Sequence, residues 1–358
     1  MSEGTLRRQG RRRLWISLAM PLVGLVLAEV LVRAVGPTVL PMPEARGNLF
    51  ADVKDPVLRY VNLPNATKTI RYDDGAGGQW TVRMRTNGQR MRGPEVASRK
   101  PEQVLRVACL GDSHTWGDGV ADDETWPAQL QARAGPGVEV LNCGVNGYDT
   151  LQEVLWYERF VEPLDPDLVL LCFFANDVAA RGLKEEGSKP KIDTLAAWTH
   201  PKRPGWIRSL RDVSVAADLL CDRVWRWRSL QSRQDSWDSR YVSTDPGWQR
   251  ARGALVRLRD RCREEGRELR VVFFPYLVKQ GAAFESSEVL SIARAFCEEN
   301  DIVSFDGEPA LLEALGDRDT AELRVSLSDF HANGEAYGAF AAAVSRWLGE
   351  GGLPFAAD

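Results

Sequence analysis

Five continuous apolar runs recur between residues 104 and 305: VLRVACLG, VEVLNCGV, DLVLLCFFA, LRVVFFPYLV and DIVSF. Amphipathic segments such as TWPAQLQARAG, LQEVLWYERFVEPL and EVLSIARAFCEEN lie between them. A strand apolar on both faces must be covered on both faces, and parallel strands need helical crossovers to connect them. The pattern therefore predicts an α/β domain, a three-layer α/β/α sandwich around a central parallel sheet of about five strands. In such sheets ligands bind beyond the carboxyl ends of the strands. The chemistry is to be sought there.

The 358 residues allow one large domain with additions. Arg7, Arg8, Arg11, Arg12 and Arg13 precede an apolar stretch, Leu14 to Val35, that contains only Glu29 and Arg33 as charges. Spaced i, i+4, those two can pair and reach outward. Arginines leading into such a stretch predict a single-pass signal anchor over 14–35, with residues 1–13 as a cytoplasmic tail and the remainder outside the cytoplasm. A cleaved signal peptide is the alternative, with Val32 and Ala34 at the cleavage site. Residues 36–100 carry short alternating runs, and TKTIRYDD followed by QWTVRMRTNG predicts a hairpin with a turn at Asn87-Gly88. The main domain is expected over 101–350, interrupted at about 184–250 by a helical insertion. That insertion holds Trp198, Trp206, Trp225, Trp227, Trp237 and Trp248, half of the 12 tryptophans. These either pack the insertion onto the core or form a cap over the site. A net charge of −4 without a basic stripe gives no support for nucleic-acid binding. The six cysteines sit in apolar strands or in helical patterns and are expected to be mostly free thiols.

The first three strands end at GDSHTWG, NCGVNGYDT and FFANDV, and SLSDFHANGEAY leads into the last helix. A serine attacks a carbonyl only if a base takes its proton. There are three histidines, His114, His200 and His331. His114 adjoins Ser113, so their side chains should diverge, and His200 lies in a proline-containing basic stretch. His331 has Asp329 two residues before it and is the expected base, with Asp329 as its orienter. The oxyanion needs fixed donors. The Ser113 amide near a helix N-terminus, the unobstructed amide of Gly144 and the side-chain NH2 of Asn176 are the candidates. No P-loop, dinucleotide fingerprint, His-Glu-x-x-His motif or G-x-S-x-G elbow is present, and neither a metal nor a cofactor is expected.

In these blocks the chain resembles the SGNH/GDSL hydrolase superfamily over roughly residues 104–350. The resemblance implies a flavodoxin-like fold and gives Ser113 as nucleophile, Gly144 and Asn176 as oxyanion donors, and Asp329 and His331 as orienter and base. Two departures stand out. Phe174 replaces the glycine that usually opens the third block, and the last block reads Asp-x-His, with Ser328 where Asp-x-x-His would need an acid. The stretch RTNGQRMRGPEV and the N-terminal anchor look like a bacterial exported subgroup. The implied function is a membrane-anchored serine esterase acting on an acyl, chiefly acetyl, ester, with cell-surface carbohydrate as a candidate substrate. An O-acyltransferase using the same acyl-enzyme and a non-catalytic glycan- or partner-binding module are the alternatives.

Overall fold

The computed structural model describes residues 44–73, 79–178, 240–326 and 329–356, together with Gly24, Val26, Leu27, Val30 and Leu31. The chain divides into two compact units. One comprises residues 1–43, 72–80 and 200–232. In it Gly24, Val26, Leu27, Val30 and Leu31 are helical and exposed, and Tyr72 stacks on Trp80 with ring centroids 5.3 Å apart. Apart from those five residues, the predicted anchor lies outside the described residues. Among the described residues no helix is long and apolar enough to cross a membrane. Most of the predicted insertion, with Cys221 and His200, also lies outside them.

The other unit comprises residues 44–71, 81–199 and 233–358. It begins with three short strands, β1 (Glu44–Arg46), β2 (Phe50–Asp52) and β3 (Tyr60–Asn62), and β4 (Thr67–Asp73) and β5 (Gln79–Arg85), of seven residues each, follow, with residues 72–73 and 79–80 counted in the first unit. The last two are neighbours in a three-stranded sheet ordered β1-β4-β5, as the hairpin pattern predicts. The turn follows at Asn87, whose amide donates to Met91 O at 2.8 Å.

From there strands and helices alternate. β6 (Leu105–Gly111) leads into α1 (Ser113–Trp116) and α2 (Trp126–Arg133), then β7 (Val138–Asn142) and α3 (Thr150–Trp156). β8 (Leu168–Phe174), α4 (Pro246–Glu264) and β9 (Glu268–Phe274) follow, then a two-residue hairpin, β10 (Lys279–Gln280) and β11 (Ala283–Phe284). The domain closes with α5 (Ser287–Glu299), β12 (Val303–Asp306), α6 (Glu308–Leu315) and α7 (Gly334–Glu350). All five predicted strands form one parallel sheet, in the order β12-β9-β8-β6-β7. That is the doubly wound order in which the chain winds outward both ways from β6.

Alternation along β8 shows why both faces are filled. Val169, Leu171 and Phe173 point into one apolar cluster with α3, α4 and α5. Leu168, Leu170, Cys172 and Phe174 point into the other with α2, α6 and α7. Leu58, Val61, Met91 and Val96 join the first cluster, so residues preceding the sheet help to close its core. Trp248 is buried at the start of α4 and lies against Tyr241 and Phe296, a packing role. Cys109, Cys143, Cys172, Cys262 and Cys297 are free and buried.

Candidate active site

The site forms where β6 and β8 end, the crevice that the sheet order leaves open. β6 stops at Gly111, whose φ of 150° favours glycine. A Cβ there would also meet Thr115 Oγ1 at 2.2 Å. Asp112 then caps α1 by accepting the His114 amide at 2.8 Å. Ser113 is thus the first residue of a four-residue helix, and its amide has no acceptor within that helix. The helix ends at Gly117, in the left-handed conformation, whose amide returns to Ser113 O at 2.8 Å. Ser113 is buried, and its hydroxyl donates to Asp112 Oδ2 at 3.4 Å.

Asp329 and His331 lie in the loop before α7. The His331 amide and Nδ1 lie 3.1 and 2.6 Å from the same oxygen, Asp329 Oδ1. A carboxylate only accepts, so Nδ1 carries a proton directed at Asp329, and Nε2 is left for other work. The loop is fastened by Val325 N to His331 O at 2.9 Å and by Asp329 N to Ser326 Oγ at 3.1 Å. Burial acts to lower the His331 pKa. The charge and hydrogen bond of Asp329, with Asp118 and Asp112 adding, outweigh it and raise the value to about 9. Burial likewise pushes the Asp329 carboxyl upward, but His331 more than offsets this and holds it below the usual range.

The segments that carry Ser113 and His331, far apart in sequence, are brought together. The ring of His114, next to Ser113, lies with its centroid 5.2 Å from that of His331. The loop after α1 abuts the base loop as well: a Cβ at Gly119 would meet Val325 at 2.5 Å. No hydrogen bond joins Ser113 to His331 among the described residues, the hydroxyl being turned to Asp112. The Ser113 hydroxyl and the His114 ring turn to different partners, Asp112 and Phe174, yet His114 stays close to the predicted base. It stacks on Phe174 at 3.9 Å and approaches Phe274 at 5.0 Å, and its buried Nδ1 has no hydrogen-bond partner. Burial, with His331 nearby, keeps it well below the ordinary histidine range. Phe174, which stands where the third block usually opens with glycine, is the wall against which His114 rests.

The two remaining predicted donors differ. Asn176 sits on the turn Ala175–Val178 directly after β8, where Asp177 Oδ2 accepts the Phe174 amide at 2.8 Å and fixes the turn. The Asn176 Oδ1 is buried without a hydrogen-bond partner. Gly144 is needed, but for another reason than an open amide. Its N–H donates to Asn142 Oδ1 at 3.1 Å, so it is already engaged. What demands glycine is the backbone of α1, since a Cβ would lie 2.3 Å from Trp116 N. Sequence reasoning missed Asp118, whose Oδ2 accepts Asn146 Nδ2 at 2.9 Å and whose charge reaches His331. Ser328 lies outside the described residues. Among those described, no cluster of side chains suits a metal ion.

A sequence profile of the GDSL-like lipase/acylhydrolase family matches residues 109–339. No curated protein sequence matches the chain. Similar solved structures include Axe2, an acetylxylan esterase from Geobacillus stearothermophilus, at 15% identity and a TM-score of 0.43, with 70% of this chain and 96% of that one covered. An α/β hydrolase enzyme, LAE5, from the metagenome of Lake Arreo in Spain matches at 14% identity and a TM-score of 0.42, covering 70% and 97%. A protein of the G-D-S-L family from Desulfitobacterium hafniense DCB-2 matches at 14% and 0.39, covering 68% and 98%.

Proposed function

The chain belongs to the GDSL-like lipase/acylhydrolase family and is an SGNH-type ester hydrolase, and from that premise we propose that it cleaves a small acyl ester, chiefly an acetyl ester, by a Ser113–His331–Asp329 triad. The observation that carries this reading is the 2.6 Å contact of His331 Nδ1 with Asp329, on a ring 5.2 Å from that of Ser113's neighbour. The Ser113 hydroxyl turns from Asp112 to His331 Nε2 and adds to the acyl carbonyl as its proton passes to Nε2. The ester C–O bond then breaks, and the leaving alcohol takes that proton. Water, deprotonated by the same nitrogen, adds to the acyl-enzyme, and the Ser113 oxygen leaves with the proton. Throughout, Asp329 stabilises the imidazolium.

The oxyanion is held by the Ser113 amide and by Asn176, whose amide group turns its NH2 to the charge. The Gly144 amide joins only by exchanging its Asn142 partner. A small acyl group is favoured because Ser113 and His331 are both buried, beside His114, Phe174 and Phe274. The five arginines before residues 14–35 support a membrane anchor with the catalytic domain outside the cytoplasm.

Full-length protein in detergent, incubated with acetyl and longer-chain nitrophenyl esters, tests the chemistry. Turnover that falls with chain length, and covalent labelling by a fluorophosphonate that Ser113→Ala abolishes, are the expected results. Absence of both from the wild type would refute the reading. Appearance of acetylated sugar when a glycan acceptor is added would make the enzyme a transferase. A compartment-sensitive reporter fused after residue 358 tests the topology, and activity in the cytoplasm would overturn it.

A further inference from the structure

Ser113 stands on a helix of four residues, too short to hold itself. The carbonyls that follow it must find donors; Asn142 Nδ2 reaches Trp116 O at 3.5 Å and Val120 N reaches Gly117 O at 3.4 Å, and one side chain from the segment preceding the sheet bonds to three of them at once. Arg92 is buried. Its Nη1 donates to Trp116 O at 2.7 Å and also to Gly117 O, and its Nη2 donates to Val120 O. Nε donates to Asp122 Oδ1 at 3.0 Å, which pairs the charge. The guanidinium also lies over the Trp116 ring, 5.3 Å from its centroid. Every bond of this guanidinium falls within residues 116–122. The Arg92 amide donates in addition to Asn142 O at 3.2 Å, at the start of the loop that carries Gly144.

We propose that Arg92 is a positioning residue for the nucleophile: it fixes residues 116–120 and thereby the place of Ser113 and Asp118 in the site. The proposal rests on the reading of Ser113 as the nucleophile. Its physical basis is the planar fork of donors, which satisfies three buried carbonyls and a carboxylate at once. Lysine, with one compact ammonium, cannot span them. The cation also lies at the C-terminal end of α1, where the last carbonyls face outward from the helix. Asp118, on the held loop, accepts from Asn146 and acts on His331. One guanidinium thus sets both the nucleophile's turn and a charge beside the base.

The test compares full-length wild type, Arg92→Met, Arg92→Lys and Arg106→Met at a temperature where circular dichroism shows each folded. Arg106 is equally buried, bonded to Glu139 and to Ala97 O at the opposite end of β6, and serves as the control for destabilisation alone. For Arg92→Met the expected result is an about 100-fold fall in kcat and in the rate of fluorophosphonate labelling, with KM little changed. Arg92→Lys should fall between it and wild type, and Arg106→Met should label at the wild-type rate. Labelling of folded Arg92→Met at the wild-type rate, or an equal loss in Arg106→Met, overturns the proposal. Should Arg92→Met fail to fold, Arg92→Lys decides by the same criterion. Should both fail, Asp122→Asn decides: slower labelling supports the proposal and an unchanged rate overturns it. A wild type that is not labelled at all refutes the nucleophile itself, a separate outcome.

Discussion

Replacing Asp329 by asparagine would remove the charge that keeps His331 protonated while leaving an oxygen in place. Asp329 Oδ1 accepts both the His331 amide and Nδ1. The backbone amide fixes which end of an asparagine faces the ring, because an NH2 there would meet an N–H. The Nδ1 proton therefore keeps its acceptor, and the tautomer survives. What is lost is electrostatic. His331 is raised from 6.5 to about 9, which corresponds to roughly 3 kcal/mol. That is a net figure, since burial opposes it, so the asparagine variant should fall back toward the ordinary histidine range.

The assay is kcat/KM for an activated acetyl ester as a function of pH, which reports the free enzyme. The wild type should rise with pH to a midpoint near 9, because only neutral His331 accepts a proton. Asp329→Asn should reach its plateau at lower pH and at a lower rate, about 100-fold below wild type at high pH. Near pH 6.5 the gap should narrow, since most wild-type His331 is then charged. A wild-type midpoint at 6.5, or a ratio constant across the range, would refute the reasoning. Stability should follow the same pair. The folded pKa of His331 lies above the unfolded one, so its contribution is complete below 6.5 and is lost as pH rises through about 9. Tm should fall across that window in the wild type and hold steady in the variant.

Gly144→Ala should lower stability by about 1–3 kcal/mol in urea unfolding, because its methyl meets the backbone of α1 rather than a yielding side chain; a variant as stable as wild type would contradict the packing. His114→Phe keeps the stack on Phe174 and removes an imidazole the mechanism does not use, so kcat/KM should change by less than about tenfold. A larger loss would give His114 a part in proton transfer. The five described cysteines are buried, and burial raises Cys262 to about 11 and Cys297 to about 12. Native protein titrated with a thiol reagent at neutral pH should therefore leave these five unreacted until it is unfolded.

The sheet was legible because its strands are buried on both faces. All seven residues of β8 are buried, and only a continuous apolar run can meet that demand. LQEVLWYERFVEPL was legible as helical but not in its details. α3 ends at Trp156, a π turn covers Tyr157–Val161, and a 3₁₀ turn ends where Asp165 takes φ 56°. Shifting the hydrogen bonds by one residue over so short a span scarcely alters the apolar spacing, so periodicity is blind to it. β1, β2 and β3 have three residues each, too few for alternation to show, and only tertiary contacts define them.

The site was legible in so far as its chemistry demands particular atoms. The proposed base is an imidazole, and the histidines were few enough to choose from. Arg92 offered no such signal. In RTNGQRMRG it stands two residues from Arg90, which remains half-buried and bonds to Asn62 O at 2.7 Å. Nothing local distinguishes the arginine buried against residues 116–122 from the one that stays half-buried. The boundary drawn at residue 100 came from the change of rhythm there, yet physical contacts cross it. Asn62 Nδ2 donates to Gly144 O at 3.2 Å, and the Tyr60 hydroxyl donates to Asn146 O at 2.8 Å. With Arg92, three side chains from before the sheet hold the loops on which the candidate nucleophile and its surroundings depend. A composition shift marks where the α/β rhythm begins, whereas a folding unit is bounded by where buried donors and acceptors cease to cross. By that measure residues 44–71 and 81–100 belong to the same unit as the sheet, since without Arg92 the buried Val120 carbonyl would lose its donor.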